Sequence, residues 1–307
     1  MPDHRPLKVG VQLPEVERAV RWSELLAMAQ AAEAVGLDSL WVGDHLLYHW
    51  PTQPPRGPWE AWSVLAALAA ATTRLQLGPL VSATSFRAPA LLAKMAATVD
   101  EISGGRLILG LGAGWNETEY RAYGFPYDQR VARFEEAFTI IRTLLREGAI
   151  DFEGRFYSAR DCELLPRGPR PGGPPLLIGS RGARMLQITA PHVDAWNAWH
   201  DWFGNRPAGL EPILGELAAA EAAAGRTPGA IERTATALVG MPGGTGRFQG
   251  DAVGAGTPPL SGDPDALATS LCAYAAIGVS HVQLVLDPIT VGSIEALAPT
   301  LELLDAA

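Results

Sequence analysis

The sequence places an aspartate and a histidine side by side, Asp44-His45, directly after a short apolar run, Ser39 to Val42. An imidazole titrates near neutrality and passes protons, while an adjacent carboxylate can accept a hydrogen bond or set the local charge. The same pair could instead cap a loop and take no part in chemistry. A second candidate is Gly104-Gly105-Arg106-Leu-Ile-Leu-Gly-Leu-Gly-Ala-Gly-Trp115-Asn-Glu-Thr-Glu-Tyr120. Its apolar run, Leu107 to Leu111, reads as a buried parallel strand. Gly112, Ala113 and Gly114 then let a ligand approach the main chain closely, and Asn116 to Glu119 start a helix. Unpaired N–H groups at such a junction suit an anion, although close packing alone would use the same glycines. Gly179-Ser180-Arg181-Gly182 is a third candidate, where main-chain N–H groups and a guanidinium could hold phosphate. An arginine there could also be merely solvated.

Other chemistries find less support. His49, His192, His200 and His281 are scattered, with no His-x-His or His-Glu-x-x-His spacing for a metal. No Gly-x-Ser-x-Gly elbow is present, and neither Cys162 nor Cys272 ends an expected strand. Two cysteines are too few for a disulfide framework. A net charge of −9 argues against nucleic acid or an acidic membrane surface as partner, and ordinary solubility explains it. The first residues lack the features of a signal peptide, and no Ala-rich run approaches a membrane span. A cytoplasmic protein is expected.

Strand and helix patterns alternate along the chain and must position these groups. Strands are expected at Leu7 to Leu13, Ser39 to Val42, Leu75 to Val81, Arg106 to Leu111, Pro174 to Gly179, Val193 to Asn197, Thr234 to Met241 and Val282 to Leu286. Helices are expected at Trp22 to Val35, Trp59 to Thr72, Ala88 to Ile102, Arg130 to Glu147, Leu210 to Ala224, Pro264 to Ile277 and Ile294 to Leu304. With a further helix opened by Gly179 to Gly182, strand followed by helix eight times over without a linker predicts an α/β fold, a (β/α)8 TIM barrel, as one domain over residues 1–307. Phe152 to Tyr157 reads as a hairpin within an insertion near 150–175. Pro242 to Asp263, dense in Gly and Pro, reads as a mobile loop that is either a lid or an insertion without a role. In a barrel the active site lies at the C-terminal strand ends. This rule selects Asp44-His45, Leu80 to Thr84, the glycine turn, Gly179 to Gly182 and Trp196-Asn197.

With these motifs assembled, the chain resembles the bacterial luciferase-like superfamily, and within it the deazaflavin (coenzyme F420)-dependent oxidoreductases. The resemblance runs through Trp41-Val-Gly-Asp-His45, Phe86 to Lys94, Asp100 to Arg106, Leu109 to Trp115, Glu119 to Gly124 and Arg133-Phe-Glu-Glu136. It continues in Phe152 to Tyr157, Pro175 to Gly179 and Ala190 to Asn197. It implies a luciferase-like barrel with insertions that binds F420, with FMN as the alternative. It also implies a proton-transferring His45 with Asp44 beside the cofactor ring. Leu80, Val81 and Ser82 match the strand end that backs the ring, often through a non-prolyl cis peptide. Gly112, Ala113 and Gly114 match the turn near the cofactor's phosphate and side chain, and Gly179, Ser180, Arg181 and Gly182 the phosphate-end loop.

One departure is informative. Sugar-phosphate dehydrogenases of this family carry a catalytic Glu after the Gly-x-Gly turn, where this chain has Trp115. With Tyr48, Trp50, Trp59 and Trp199, Trp115 suggests an apolar or aromatic wall beside cofactor and small-molecule substrate. The implied activity is hydride transfer to or from such a substrate. The alternatives are a two-component FMN monooxygenase and a flavin-binding paralogue without turnover. A homodimer, supplied with reduced cofactor by a flavin or F420 reductase, completes the expectation.

Overall fold

The apolar runs become strands of one parallel sheet, joined by helices that pack on its outer face. The computed structural model describes residues 5–50, 54–245 and 257–307. In chain order its elements begin with β1 (Lys8–Gln12), α1 (Trp22–Ala34), β2 (Ser39–Val42), α2 (Ala61–Ala71), β3 (Gln76–Pro79) and β4 (Ser82–Ala83). They continue with α3 (Pro89–Ser103), β5 (Leu109–Gly112), α4 (Glu117–Tyr123), α5 (Arg130–Glu147), β6 (Ala149–Glu153), β7 (Ser158–Glu163) and β8 (Leu176–Ile178). The last are α6 (Ala183–Thr189), β9 (Ala195–Ala198), α7 (Pro207–Ala223), β10 (Glu232–Gly240), β11 (Leu260–Ser261), α8 (Pro264–Ala276), β12 (His281–Asp287), α9 (Val291–Glu295) and α10 (Ala298–Asp305).

The strand order is β3-β2-β1-β12-β10-β9-β8-β5-β4. A parallel bridge between Leu77 and Leu107, with Ile108 N donating to Leu77 O at 2.8 Å, draws the two edges together. The sheet is thus nearly closed into a barrel. The strand expected at Leu75 to Val81 ends at Pro79, and a cis peptide between Leu80 and Val81 separates β3 from the short β4. The expected last helix is also broken into α9 and α10. Pro299 near the start of α10 has no N–H with which to continue the α9 ladder. Within 242–263, β11 pairs with Val239 and Gly240, whereas residues 246–256 lie outside the described residues. No helix among the described residues is long and apolar enough to cross a membrane.

Two arginine and glutamate anchors explain motifs that look functional in the sequence. Arg106 donates to main-chain oxygens of Ala69, Thr72, Leu75 and Ser103. It thereby satisfies helix-end carbonyls of α2 and α3 together. Glu136 accepts from the N–H groups of Arg155, Phe156 and Tyr157 at 2.8–3.0 Å and fixes the β6–β7 hairpin to α5.

The barrel interior carries a small polar cluster beneath the site. Trp41 Nε1 donates to Ser39 Oγ at 2.7 Å, and the serine hydroxyl shares a second hydrogen bond with His281 Nε2, also at 2.7 Å. Burial, with Lys8 nearby, pushes the His281 pKa down to about 3. Between about 3 and the ordinary imidazole value of about 6.5, the unfolded chain binds a proton that the folded one refuses. Stability therefore falls as the pH drops through this window. His281→Gln should flatten the acid dependence of the urea-unfolding free energy by up to about 1.4 kcal/mol per pH unit. An unaltered slope would show that His281 is not the titrating group.

Candidate active site

A cleft of about 690 Å³ opens at the C-terminal ends of the barrel strands. His45 sits on its wall, half-buried, where the chain leaves β2. Its Nδ1 lies 2.8 Å from Glu119 Oε1, and its Nε2 lies 3.6 Å from Glu15 Oε1. Glu119, on α4 and almost fully buried, also accepts from the N–H groups of Leu46 and Leu47. Asn116, expected as a helix-starting residue, does not cap α4 with its side chain; it donates to Leu47 O at 2.8 Å. The start of α4 thus clamps the loop that carries His45.

Glu15 is the second carboxylate. It follows β1 in Pro14-Glu15-Val16, accepts from Gln12 Nε2 at 2.7 Å and from the Tyr48 hydroxyl, and is buried. Burial, the largest influence, pushes the His45 pKa down. Glu15, the Glu119 hydrogen bond and charge, and more distantly Asp44, outweigh it and hold the pKa above its ordinary value. Neither glutamate stands out in the sequence as a partner of His45. Glu15 nevertheless obeys the strand-end rule that selects Asp44 and His45, so a signal existed for it. Glu119 sits among surface-like acids, and only the docking of α4 turns it inward.

Asp44 differs from the expected partner of His45. Its carboxylate points behind the wall, accepting from Ser82 Oγ at 2.7 Å, Ala83 N at 3.1 Å and both terminal nitrogens of Arg87 at 2.7 and 3.0 Å. Arg87, raised above its ordinary value by Asp44 and Glu60 despite burial, neutralises it. Asp44 reaches His45 only through its field. Ser82 likewise lies behind the cleft, fully buried between Asp44 and Trp62 Nε1.

Asp44 still borders the cleft, as do Leu80, Val81, Gly112, Ala113, Gly114, Trp115, Gly179, Ser180 and Arg181. Gly182 does not; it precedes α6 with φ +118° and is exposed. A Cβ at Gly112 or at Gly179 would stand 2.8 Å from the methyl groups of Val81. Both glycines therefore leave the Leu80–Val81 segment bare, a flat surface that fits an aromatic ring system. The volume also suits a cofactor together with a small substrate.

Tyr48, Trp50 and Trp115 gather around His45. Tyr48 stacks on Trp50 at 5.1 Å, and the Trp115 ring stands 5.5 Å from the imidazole. Trp199 and Trp202 line the same cleft. Trp59 does not belong to this wall. Its indole donates to Val20 O and borders a separate, smaller cavity.

Gly114 has φ +75°, and a Cβ there would come 2.0 Å from the Tyr120 hydroxyl. That hydroxyl, pushed up to about 12 chiefly by burial, donates to Ala113 O at 2.8 Å. Gly114→Val should cost about 1–3 kcal/mol of stability and weaken cofactor binding in a fluorescence titration. Unaltered affinity would place the cofactor away from this turn.

Comparison with known proteins agrees with this architecture. The model of the luciferase-like monooxygenase family matches residues 7–241, and the chain belongs to that family. It is similar to 5,10-methylenetetrahydromethanopterin reductase of Archaeoglobus fulgidus, 30% identical over 238 residues, which cover 76% of this chain and 64% of the relative. It is also similar to pyrimidine monooxygenase RutA of Methylobacterium radiotolerans, 38% identical over 174 residues, 54% of this chain and 44% of that protein. The chain thus spans between about half and two thirds of the length of these relatives. Among solved structures, an F420-dependent secondary alcohol dehydrogenase in complex with an F420-acetone adduct shares the fold. Its TM-score is 0.81 at 18% identity, with coverage of 96% of this chain and 98% of that one.

Proposed function

We propose that this protein is a deazaflavin (F420)-dependent oxidoreductase that reduces a carbonyl, imine or activated alkene in a small apolar or aromatic substrate. The observation that carries the reading is His45, with a carboxylate facing each ring nitrogen. A neutral imidazole has one N–H; a carboxylate hydrogen-bonded to Nδ1 and a second 3.6 Å from Nε2 together favour the imidazolium, which is an acid. A reduction consumes a proton at the substrate heteroatom, which this acid can deliver.

Leu80, Val81, Gly112, Ala113 and Gly179 would hold the ring of the cofactor, with Gly114, Ser180 and Arg181 toward its phosphate end. When bound, the reduced cofactor supplies a hydride. His45 Nε2 would protonate the substrate heteroatom, while Glu119 retains the Nδ1 proton and fixes the ring plane. Tyr48, Trp50 and Trp115 would exclude water and orient an apolar substrate. Asp44, paired with Arg87, anchors β4 behind the ring site. The name of the Archaeoglobus relative, a reductase, and that of the F420-dependent structural neighbour support this reading.

The RutA relative supports a second reading, an FMN-dependent two-component monooxygenase. Titrating the purified protein with F420 and with FMN, followed by tryptophan quenching, separates the two. Tight F420 binding with substrate-dependent oxidation of reduced F420 is the expected result. FMN binding alone would overturn it, and binding without turnover over a broad substrate panel would indicate a carrier.

A further inference from the structure

The cleft is not the only cavity that touches the His45 machinery. A second, of about 170 Å³, lies between the segment after β1, the start of α1 and the start of α2. Its lining includes Arg18, Ala19, Val20, Trp59 and Glu15. Ala19 and Trp59 are exposed, so the cavity reaches solvent on the flank of the barrel. Glu15 lines both cavities and is the one charged side chain they share. Its carboxylate is accommodated by Gly43, where a Cβ would fall 2.2 Å from Glu15 Oε2 and 2.5 Å from its carboxyl carbon. The glycine preceding Asp44-His45 thus leaves the space in which the glutamate reaches His45.

We propose that Glu15 is a proton relay, replenishing His45 from water in the side cavity while the main cleft is occupied. This rests on the acid role of His45 proposed above. After His45 Nε2 gives its proton to the substrate, the Glu15 carboxylate takes up a proton from bulk hydronium, conducted through side-cavity water, and passes it to Nε2, which leaves neutral water behind and Glu15 ionised again. One proton moves from solvent to the imidazole, and no electrons are transferred. A ligand in the cleft, together with Tyr48, Trp50 and Trp115, shields His45 from bulk water on that side. Glu119, hydrogen-bonded to Nδ1, lines the main cleft but not the side cavity, so it does not offer the same route. Asp44 is held by Arg87, Ser82 and Ala83. Of the charged groups around the ring, Glu15 alone also borders the side cavity.

The test is NMR of the His45 imidazole in the full chain, alone and with oxidised F420 added. It follows both the titration of the ring and the exchange of its N–H with water. Glu15→Gln should lower the His45 pKa by about one unit and slow N–H exchange. Ala19→Phe plugs the exposed side of the small cavity, well away from the cleft. It should leave the pKa unchanged yet slow exchange severalfold, most clearly with the cleft filled. Exchange in Ala19→Phe equal to that of the natural protein would overturn the relay, as would an unmoved titration in Glu15→Gln. Neither readout needs turnover, so absence of F420 binding would count against the proposed function and leave the relay to be judged on the protein alone.

Discussion

Replacing His45 with alanine should lower kcat for reduction by about 10²- to 10⁴-fold, the usual contribution of a positioned acid, with the Kd for F420 unchanged. The split follows from the geometry. His45 stands beside Glu15, Glu119 and Trp115, whereas the bare surface expected to receive the ring is formed by Leu80, Val81, Gly112 and Gly179. The pH profile provides an independent check. With its pKa held above the ordinary value by the two glutamates, the imidazolium persists to higher pH than a free imidazole's and is lost as the pH rises. Reductive turnover of the natural protein should therefore fall on the alkaline side, and His45→Ala should lose that limb. An unchanged kcat in His45→Ala would remove the histidine from the chemistry.

Replacing Arg87 with alanine should destabilise the fold by about 3–5 kcal/mol, because it strands the fully buried Asp44 carboxylate. Arg87 is itself only 10% exposed, so solvent cannot take over its role. The remaining donors, Ser82 Oγ and Ala83 N, satisfy hydrogen bonds but carry no compensating charge. The double variant Arg87→Ala/Asp44→Asn should recover a large part of the loss, since the amide removes the stranded charge. Denaturant unfolding of the two variants measures both effects. If Arg87→Ala unfolds at the natural midpoint, Asp44 is compensated by something other than Arg87.

These two results separate the halves of a dipeptide that the sequence presents as one unit. Asp44 and His45 are adjacent, and adjacency suggests that one tunes the other. In a strand end, however, consecutive side chains leave the main chain on opposite sides. Asp44 turns toward Arg87, just before α3, and His45 turns into the cleft. The pairing that matters for His45 comes from Glu119, 74 residues away, and from Glu15 after β1.

Local pattern was enough for much else. Apolar runs of strand length alternating with helical periodicity, eight times over, sufficed for a parallel barrel, because each face must bury its own stripe of side chains. Small residues at 112 to 114 and at 179 marked where a ligand can meet bare backbone. The break between α9 and α10 shows the limit of periodicity, since an apolar stripe continues across a proline that the hydrogen-bond ladder does not tolerate. The same limit placed Trp59 with Tyr48 and Trp115 by residue type alone, although its indole turns to Val20 on the flank.

What the chain's own order of residues determined was the set of strand ends and the kinds of groups they carry. What only the nearly closed barrel decided was which charges meet. A buried carboxylate is stable only where donors converge on it, and those donors arrive from elements remote in sequence. Burial of Glu15 and Glu119 against one imidazole is therefore a property of the packed ring of strands, invisible to any window along the chain.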